Sequence, residues 1–279
     1  MAQIHKGHNT LRRNGWMYTI IGIVMALGCI VLWFATMSVT AKIATVAAFL
    51  ASGWLFGKGS RLRAGAKGER RTLDSLQALP EPYHVFTNVR VHDRMEADAV
   101  VVGPNGVFVV ETKDYNGRLE GNPEDTSWTL HKVGRKGGSY TKKVNNPLNQ
   151  LKKNIFVIAN FLKMGGCHAW VEGCVVFSNP DMTFGGKLGW FDRIKVASNG
   201  FWGKVPGDAY IPDNKCVREK DVVKFITDYV PRNPLSAKEV DIIVDCLCKC
   251  LSDKPPLTTD AFNRTTNARK SKRLHQGVA

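Results

Sequence analysis

Asp98, Glu111 and Lys113 combine residue types and spacing that can hold a divalent cation and activate a water molecule. They bound the segment Asp98–Lys113, in which two apolar, β-branched runs flank Gly103-Pro104-Asn105-Gly106. Such runs around a turn sequence predict a β-hairpin. Side chains alternate along a strand, so Glu111 and Lys113, two apart, project from the same face. Hairpin folding brings the start of the first strand beside the end of the second, which sets Asp98 next to Glu111 and Lys113. Two carboxylates and an ammonium gathered there suit a hard cation and its bound water. A solvated strand end with a gatekeeping lysine uses the same residue types structurally.

Other motifs follow in a fixed order: Gly68-Glu69 at a helix start, Asp98, Gly106 to Lys113, Gly117, Trp128, and Asn146-Pro147-Leu148-Asn149-Gln150. Together they resemble the nuclease-related, or NERD, family of the PD-(D/E)XK nuclease superfamily, over roughly residues 65–180. The resemblance implies an α/β fold with a restriction-endonuclease-like core, a short mixed sheet flanked by helices. It implies Mg²⁺-dependent phosphodiesterase chemistry on DNA, with Mn²⁺ as an alternative metal. Asp98 and Glu111 would then be the carboxylate ligands, with the Thr112 backbone carbonyl as a third. Lys113 would sit by the attacking water and offset charge on the phosphorus. Glu69 would face the metal end of the sheet, and the Gln150 amide would bond a phosphate oxygen or a metal-bound water. Plain accounts compete: Glu69 as an acid favoured by its helix dipole, Gln150 as a polar surface residue. Ala99 follows Asp98 where many family members carry His, which removes a polar group near the substrate. A nuclease-fold scaffold that does not turn over is the competing function.

The formal charge of +15 is concentrated at the chain ends. Residues 1–71 hold ten Lys/Arg and one acid, residues 253–279 six Lys/Arg and two acids, leaving +2 for residues 72–252. Overall basicity is therefore a poor argument for a DNA groove. A local excess lies in residues 113–153, with nine Lys/Arg against four acids. Arg135, Lys136, Lys142 and Lys143 form its centre and are the candidate DNA contacts, or else a solvated basic turn.

The amino-terminal charge flanks apolar runs. Trp16 to Thr40, 25 residues without a charge, is long enough to cross about 30 Å of hydrocarbon. Ile43 to Gly57 follows after Lys42 and comes close to a second span if Lys42 snorkels. Arg12 and Arg13 precede the pair, and Lys58, Arg61, Arg63 and Lys67 follow it. Two positive flanks predict that both face the cytoplasm, which a helical hairpin satisfies. One span with an interfacial second helix is the alternative. The predicted organisation is a cytoplasmic basic N-terminus (1–15), a transmembrane hairpin (16–57), a nuclease-like domain (60–180), an extension packed on it (181–252), and a disordered basic tail (253–279). The expected partners are DNA and the lipid bilayer, at the cytoplasmic membrane.

Periodicity and punctuation predict the remaining elements. They are a helix over Ala66–Leu79, a strand over Tyr83–Val91, and a second hairpin of Trp128–Val133 with Ser139–Val144. A helix opened by Pro147 runs to about Met164, and a buried strand covers Val171–Phe177. Ile194–Ala197 is at most a short strand, and Val217–Tyr229 reads as a helix. Leu235–Leu251 is a helix with a Ser236/Glu239 capping box. Seven cysteines without a C-x-x-C array argue for reduced, structural thiols. A topology reporter fused after residue 60 should report the cytoplasm; an external signal would rule the hairpin out.

Overall fold

The computed structural model describes residues 1–35, 38–134, 137–185, 215–252 and 254–276. They fall into two compact units, residues 9–70 and residues 1–8 with 71–279.

The first unit is a pair of helices, α1 (Thr10–Ala35) and α2 (Val39–Leu76), whose last residues from Arg71 belong to the second unit. Both are long and apolar enough to cross a membrane, and only 17% and 11% of their most apolar stretches are buried. A core helix of a soluble protein would be mostly covered. Their contact is a seam of small residues: Gly15, Gly22 and Cys29 on α1, Thr45, Ser52 and Gly59 on α2, each seven apart. A Cβ on Gly22 would come within 2.9 Å of the Ser52 carbonyl oxygen, and one on Gly59 within 2.7 Å of the Gly15 carbonyl oxygen. The antiparallel backbones approach as small-residue helix pairs do in lipid. Thr19 and Thr45 return their hydroxyls to the carbonyls of Gly15 and Ala41, each at 2.8 Å. One continuous α2 replaces the predicted second span, basic connector and separate 66–79 helix. No proline interrupts residues 39–79, and isolated glycines weaken a helix without ending it.

The second unit is built on a six-stranded mixed sheet and a four-stranded one. Its strands are β1 (Gln3–Lys6), β2 (His84–Val89), β3 (Ala97–Gly103), β4 (Gly106–Lys113), β5 (Arg118–Glu120), β6 (Ser127–Val133), β7 (Ser139–Asn145), β8 (Val171–Phe177), β9 (Thr183–Gly185) and β10 (Cys216–Arg218). The large sheet runs β1-β2-β3-β4-β8-β10, the small one β7-β6-β5-β9. β4 returns to the parallel β8 through the small sheet and helix α3 (Pro147–Met164). A mixed sheet flanked by helices matches the expected architecture; the small sheet and β1 are additions. Gln3–Lys6, expected to be only a basic terminus, pairs in parallel with His84–Thr87, and His5 stacks on Phe86 with ring centroids 4.4 Å apart.

Alternation divides the core in two. Phe86, Val100, Val102, Val107, Val109 and Val175 face one layer, with Leu151, Ile158 and Leu162 of α3 and with Leu119, Trp128 and Leu130 of the small sheet. Val85, Val101, Phe108, Val110, Cys174 and Val176 face the other, with Leu76 and Leu79 and with Phe225 and Ile226 of the short helix α4 (Val222–Thr227). Central strands are therefore apolar on both faces. Gly117 holds φ +114°, and a Cβ there would meet the His131 carbonyl oxygen, so glycine is what lets β5 lie against β6.

Two carboxy-terminal expectations change. Val217–Tyr229 is divided into β10, a 3₁₀ turn (Glu219–Asp221) and α4, because Cys216–Arg218 is drawn into the sheet beside β8. The capping box forms as expected, at the start of α5 (Ala237–Cys248). Composition predicts a disordered tail from 253, yet Thr259–Gln276 is helix α6. Asp93 Oδ1 accepts from the Thr259 amide at 2.7 Å, and Phe262 is buried against the His92 ring, so long-range contacts anchor what local composition leaves unsupported. Ile194–Ala197 lies outside the described residues, as does most of the segment between β9 and β10.

Thr45→Cys should cross-link to the native Cys29 on mild oxidation, since the register that sets Gly15 against Gly59 and Gly22 against Ser52 continues to these two positions. Adding Gly22→Leu should abolish the cross-link, read by gel mobility; its persistence would contradict the small-residue contact.

Candidate active site

The antiparallel register fixes the central geometry. Ala99 pairs with Val110 and Val100 with Val109, so continuing by one residue sets Asp98 opposite Glu111. Directly opposed residues carry their Cβ atoms about 4.5–5.5 Å apart on one face. That face is the one covered by α3. The Asp98 carboxylate accepts the Thr112 backbone amide at 2.7 Å, extending the ladder past its last backbone pair. Lys113 Nζ donates to Glu111 Oε1 at 2.6 Å.

Helix α3 supplies the polar lid of this arrangement. Its N-cap Asn146 accepts the Leu148 amide at 2.9 Å and donates to the carbonyls of Pro123 and Asp125, so the helix start is tied to the loop before β6. Pro147 occupies the first turn, where no amide is needed. One turn on, Gln150 Oε1 accepts from Lys113 Nζ at 3.1 Å. At the next turn Asn154 Nδ2 donates to Glu111 Oε2 at 3.2 Å and to the Glu96 carbonyl at 3.2 Å. Gln150 and Asn154 are four apart and share a helix face. Beyond the strand end, Arg71 reaches Asp114 at 3.4 Å, and the Ser178 amide donates to the Lys113 carbonyl at 3.1 Å.

Residues 64–178 match the model of the nuclease-related domain, NERD. This stretch is similar to a nuclease-related domain. The family belongs to the PD-(D/E)XK-like nuclease superfamily. Among curated proteins, an uncharacterized protein of Bacillus anthracis is 37% identical over 100 residues, 34% of this chain and 44% of that relative. The chain therefore spans less than half the length of that relative. No solved structure matches the chain.

Burial sets the electrostatics of the site. Glu111 has no exposed surface, yet each of its oxygens accepts a hydrogen bond. Burial raises the Asp98 carboxyl above the ordinary range, and the Lys113 ammonium and the Thr112 amide offset part of that rise. For Lys113, burial works against the charged form, but Glu111 and Asp98 outweigh it and hold the ammonium above its usual pKa. Glu96 is likewise raised by burial, with Arg90 opposing and Asp98 reinforcing the rise. Among the described residues no three His, Cys, Asp or Glu side chains converge as a metal cage. Two carboxylates with a nearby backbone carbonyl are a poor set for Zn²⁺. They fit Mg²⁺, which keeps several waters and relies on one or two carboxylates plus substrate oxygens.

Asp98, Glu111, Lys113, Thr112 and Gln150 are thus brought together. Glu69 belongs to the helical unit, where Asn9 Nδ2 donates to its carboxylate at 3.1 Å. Lys142 and Lys143 are neighbours on the edge strand β7, and Lys143 Nζ donates to Thr129 at 2.9 Å. Arg135 and Lys136 lie outside the described residues. Ala99 is buried in the apolar layer on the face opposite Asp98, so the His it replaces would not border these carboxylates. Asn154 and Glu96 were not singled out by sequence. Asn154 was findable from its spacing of four from Gln150; Glu96, two before Asp98, was findable from strand alternation.

A raised carboxyl takes up its proton at higher pH folded than unfolded, so Asp98 weakens the fold at pH 7 and less so as pH falls toward about 4. Asp98→Asn mimics the protonated form. In EDTA at pH 7 it should melt a few degrees above the unaltered chain by near-UV circular dichroism, the gap narrowing on acidification. Mg²⁺ should raise the melting temperature of the unaltered chain and not of Asp98→Asn. A variant that melts lower in EDTA would mean that Asp98 is a structural ion-pair partner.

Proposed function

We propose that this chain is a metal-dependent nuclease that hydrolyses DNA phosphodiester bonds, held at the cytoplasmic face of the cell membrane by its N-terminal helical hairpin. The observation that carries this reading is Asp98 opposed to Glu111 in register, with Lys113 and Gln150 on the same face. Asp98 and Glu111, with the Thr112 carbonyl, would hold Mg²⁺ or Mn²⁺. When bound, the metal supplies charge stabilisation at phosphorus and a water of lowered pKa. Lys113 carries its proton at neutral pH, so its part is to orient the attacking water and offset charge on the pentavalent phosphorus. Gln150 positions Lys113 through its hydrogen bond and can donate its amide to a phosphate oxygen. Asn154 keeps Glu111 aligned. The basic strand β7, with Lys142 and Lys143, and the adjoining Arg135 and Lys136 are the proposed flanking DNA contacts. Glu69, near the start of the matched stretch, is a further candidate catalytic residue.

The membrane part rests on the two apolar, largely uncovered helices and their antiparallel small-residue seam. If such a pair spans the bilayer, its two ends emerge on one side, in agreement with the positive flanks. DNA reaching that membrane is the substrate such an anchor favours.

The competing function, a nuclease fold used as a scaffold, draws on the complete burial of Glu111 and its two occupied oxygens. Cleavage of linear and circular DNA by the full chain in detergent micelles separates the two. With Mg²⁺ or Mn²⁺ the unaltered chain should cut and EDTA should stop it. Glu111→Gln and Lys113→Gln, which keep the length and a hydrogen-bonding group, should lose about 10²–10³-fold in kcat; because each leaves one charge of a buried pair unmatched, folding is checked by melting first. Cutting that survives both substitutions in folded protein would remove the assignment.

A further inference from the structure

Beside the carboxylate pair lies a cleft of about 380 Å³, and Gln150 and Asn154 form a wall common to both. Its other lining residues include three cations, Arg90 and Arg94 from the loop between β2 and β3 and Lys153 from α3. Lys153 closes the basic stretch 113–153 read from the sequence, whereas neither arginine is expected there as a DNA contact. The loop that carries the arginines is fixed at several points. The Arg90 amide donates to the Cys250 carbonyl at 2.9 Å, the Arg94 amide to His92 Nδ1 at 3.2 Å, and Asp93 caps α6 through Thr259. The cations are therefore presented by an anchored segment, as a preformed site requires.

The two acids of the cleft are already engaged. Asp93 is exposed; its Oδ1 accepts both the amide and the hydroxyl of Thr259, at 2.7 and 2.6 Å, and it lies under the opposing charge of Arg94. Glu96 lies under the opposing charge of Arg90. Arg94 and Lys153 are exposed and take part in no ion pair among the described residues. No aromatic ring lines the cleft, and Met95 is its apolar residue. A pocket for a free nucleotide would need an apolar slot for the base. What this lining offers is positive charge and amide donors, the chemistry of a phosphate contact that ignores sequence.

We propose that this cleft seats a backbone phosphate of the DNA strand next to the one being cleaved, with Arg94 and Lys153 as its charged contacts and Arg90 behind them. The inference rests on the nuclease reading, since it is the shared wall with Asp98 and Glu111 that makes the neighbouring phosphate the natural occupant. It makes the cleft the element that sets strand register, while Lys142 and Lys143 act farther along.

Binding measured without turnover tests it. The full chain in detergent micelles and EDTA is titrated with a fluorescein-labelled DNA duplex of about 20 base pairs over a series of salt concentrations. Arg94→Glu with Lys153→Glu should weaken binding about tenfold or more and make the slope of log K against log salt shallower by roughly 2. Lys224→Glu with Lys238→Glu, exposed positions on α4 and α5, changes the same charge outside the cleft and should leave the affinity within about twofold. If the reversed pair fails the melting check, Arg94→Gln with Lys153→Gln takes its place, with the same change of slope expected. Equal affinity and equal slope for the unaltered and cleft variants would overturn the inference and leave the nuclease reading standing. Displacement of the duplex by a mononucleoside 5′-phosphate at equal phosphate concentration would also overturn it, in favour of a free nucleotide. An unaltered chain that binds no DNA would remove the nuclease reading, and this one with it.

Discussion

The structure depends on one ion pair placed where a soluble fold would rather have none. Glu111 is fully buried at the end of a central strand, and it is kept there by Lys113 at 2.6 Å and Asn154 at 3.2 Å. An unpaired carboxylate in that position would be neutralised or would unfold its surroundings. The pair is therefore required wherever Glu111 is. Asp98, across the strand, adds a second carboxylate whose ionisation burial resists. The ammonium of Lys113 is bonded to Glu111 and drawn by the charge of Asp98 as well, so it faces both acids before any cation arrives. Structure and chemistry meet in that residue: it stabilises the empty arrangement and occupies the place where a water would be oriented.

Such a charge cluster needs rigid surroundings, and the sheet provides them. β3, β4 and β8 are apolar on both faces over most of their length. Their ends change to polar residues where the site begins. α3 is pinned at its first turn by Asn146 and along its length by Leu151, Ile158 and Leu162. Gln150 and Asn154, which reach the strand end, thus sit on a helix that cannot rotate without exposing its apolar face. Positions four apart on a fixed helix hold side chains more closely than a loop does. The loop of Arg90 to Glu96, by contrast, owes its shape to bonds with Cys250 and Thr259, so the carboxy-terminal segment helps shape the cleft although it lies outside the matched domain.

Local signals explain which parts were legible in the sequence. The hairpin of β3 and β4, helix α3 and the Ser236 capping box each announce themselves within about twenty residues, through alternation, a proline at the first turn or a capping pair. The face shared by Asp98, Glu111 and Lys113 followed from alternation alone. Contacts that join distant segments left no such mark. Gln3–Lys6 pairs with residues some 80 positions away, and β9 with β5 some 65 away. The 259–276 helix is mostly polar in sequence and takes its anchorage from Asp93, bonded to Thr259, and from His92, packed on Phe262. Arg90, Arg94 and Lys153 become neighbours only when the loop and α3 are folded together, so no window of sequence contains the cleft.

The same distinction accounts for charge. Residues 72–252 carry a net charge of only +2, which in a uniform mixture of charges would offer a polyanion little. Charges act over about a Debye length, near 8–10 Å at physiological salt, so their arrangement outweighs their sum. Here the acids at the site are buried or bonded, Glu111 by Lys113 and Asn154, Asp93 by Thr259. Arg94 and Lys153 remain at the surface of the adjoining cleft. A polyanion approaching that cleft would meet Arg94 and Lys153 beside the exposed Asp93, and the buried Glu111 only at contact, where a divalent cation held by Asp98 and Glu111 would reverse the local sign. A near-neutral domain can in this way present a locally positive entrance to an acidic centre, and the neutrality of its total charge is no argument against a nucleic-acid substrate.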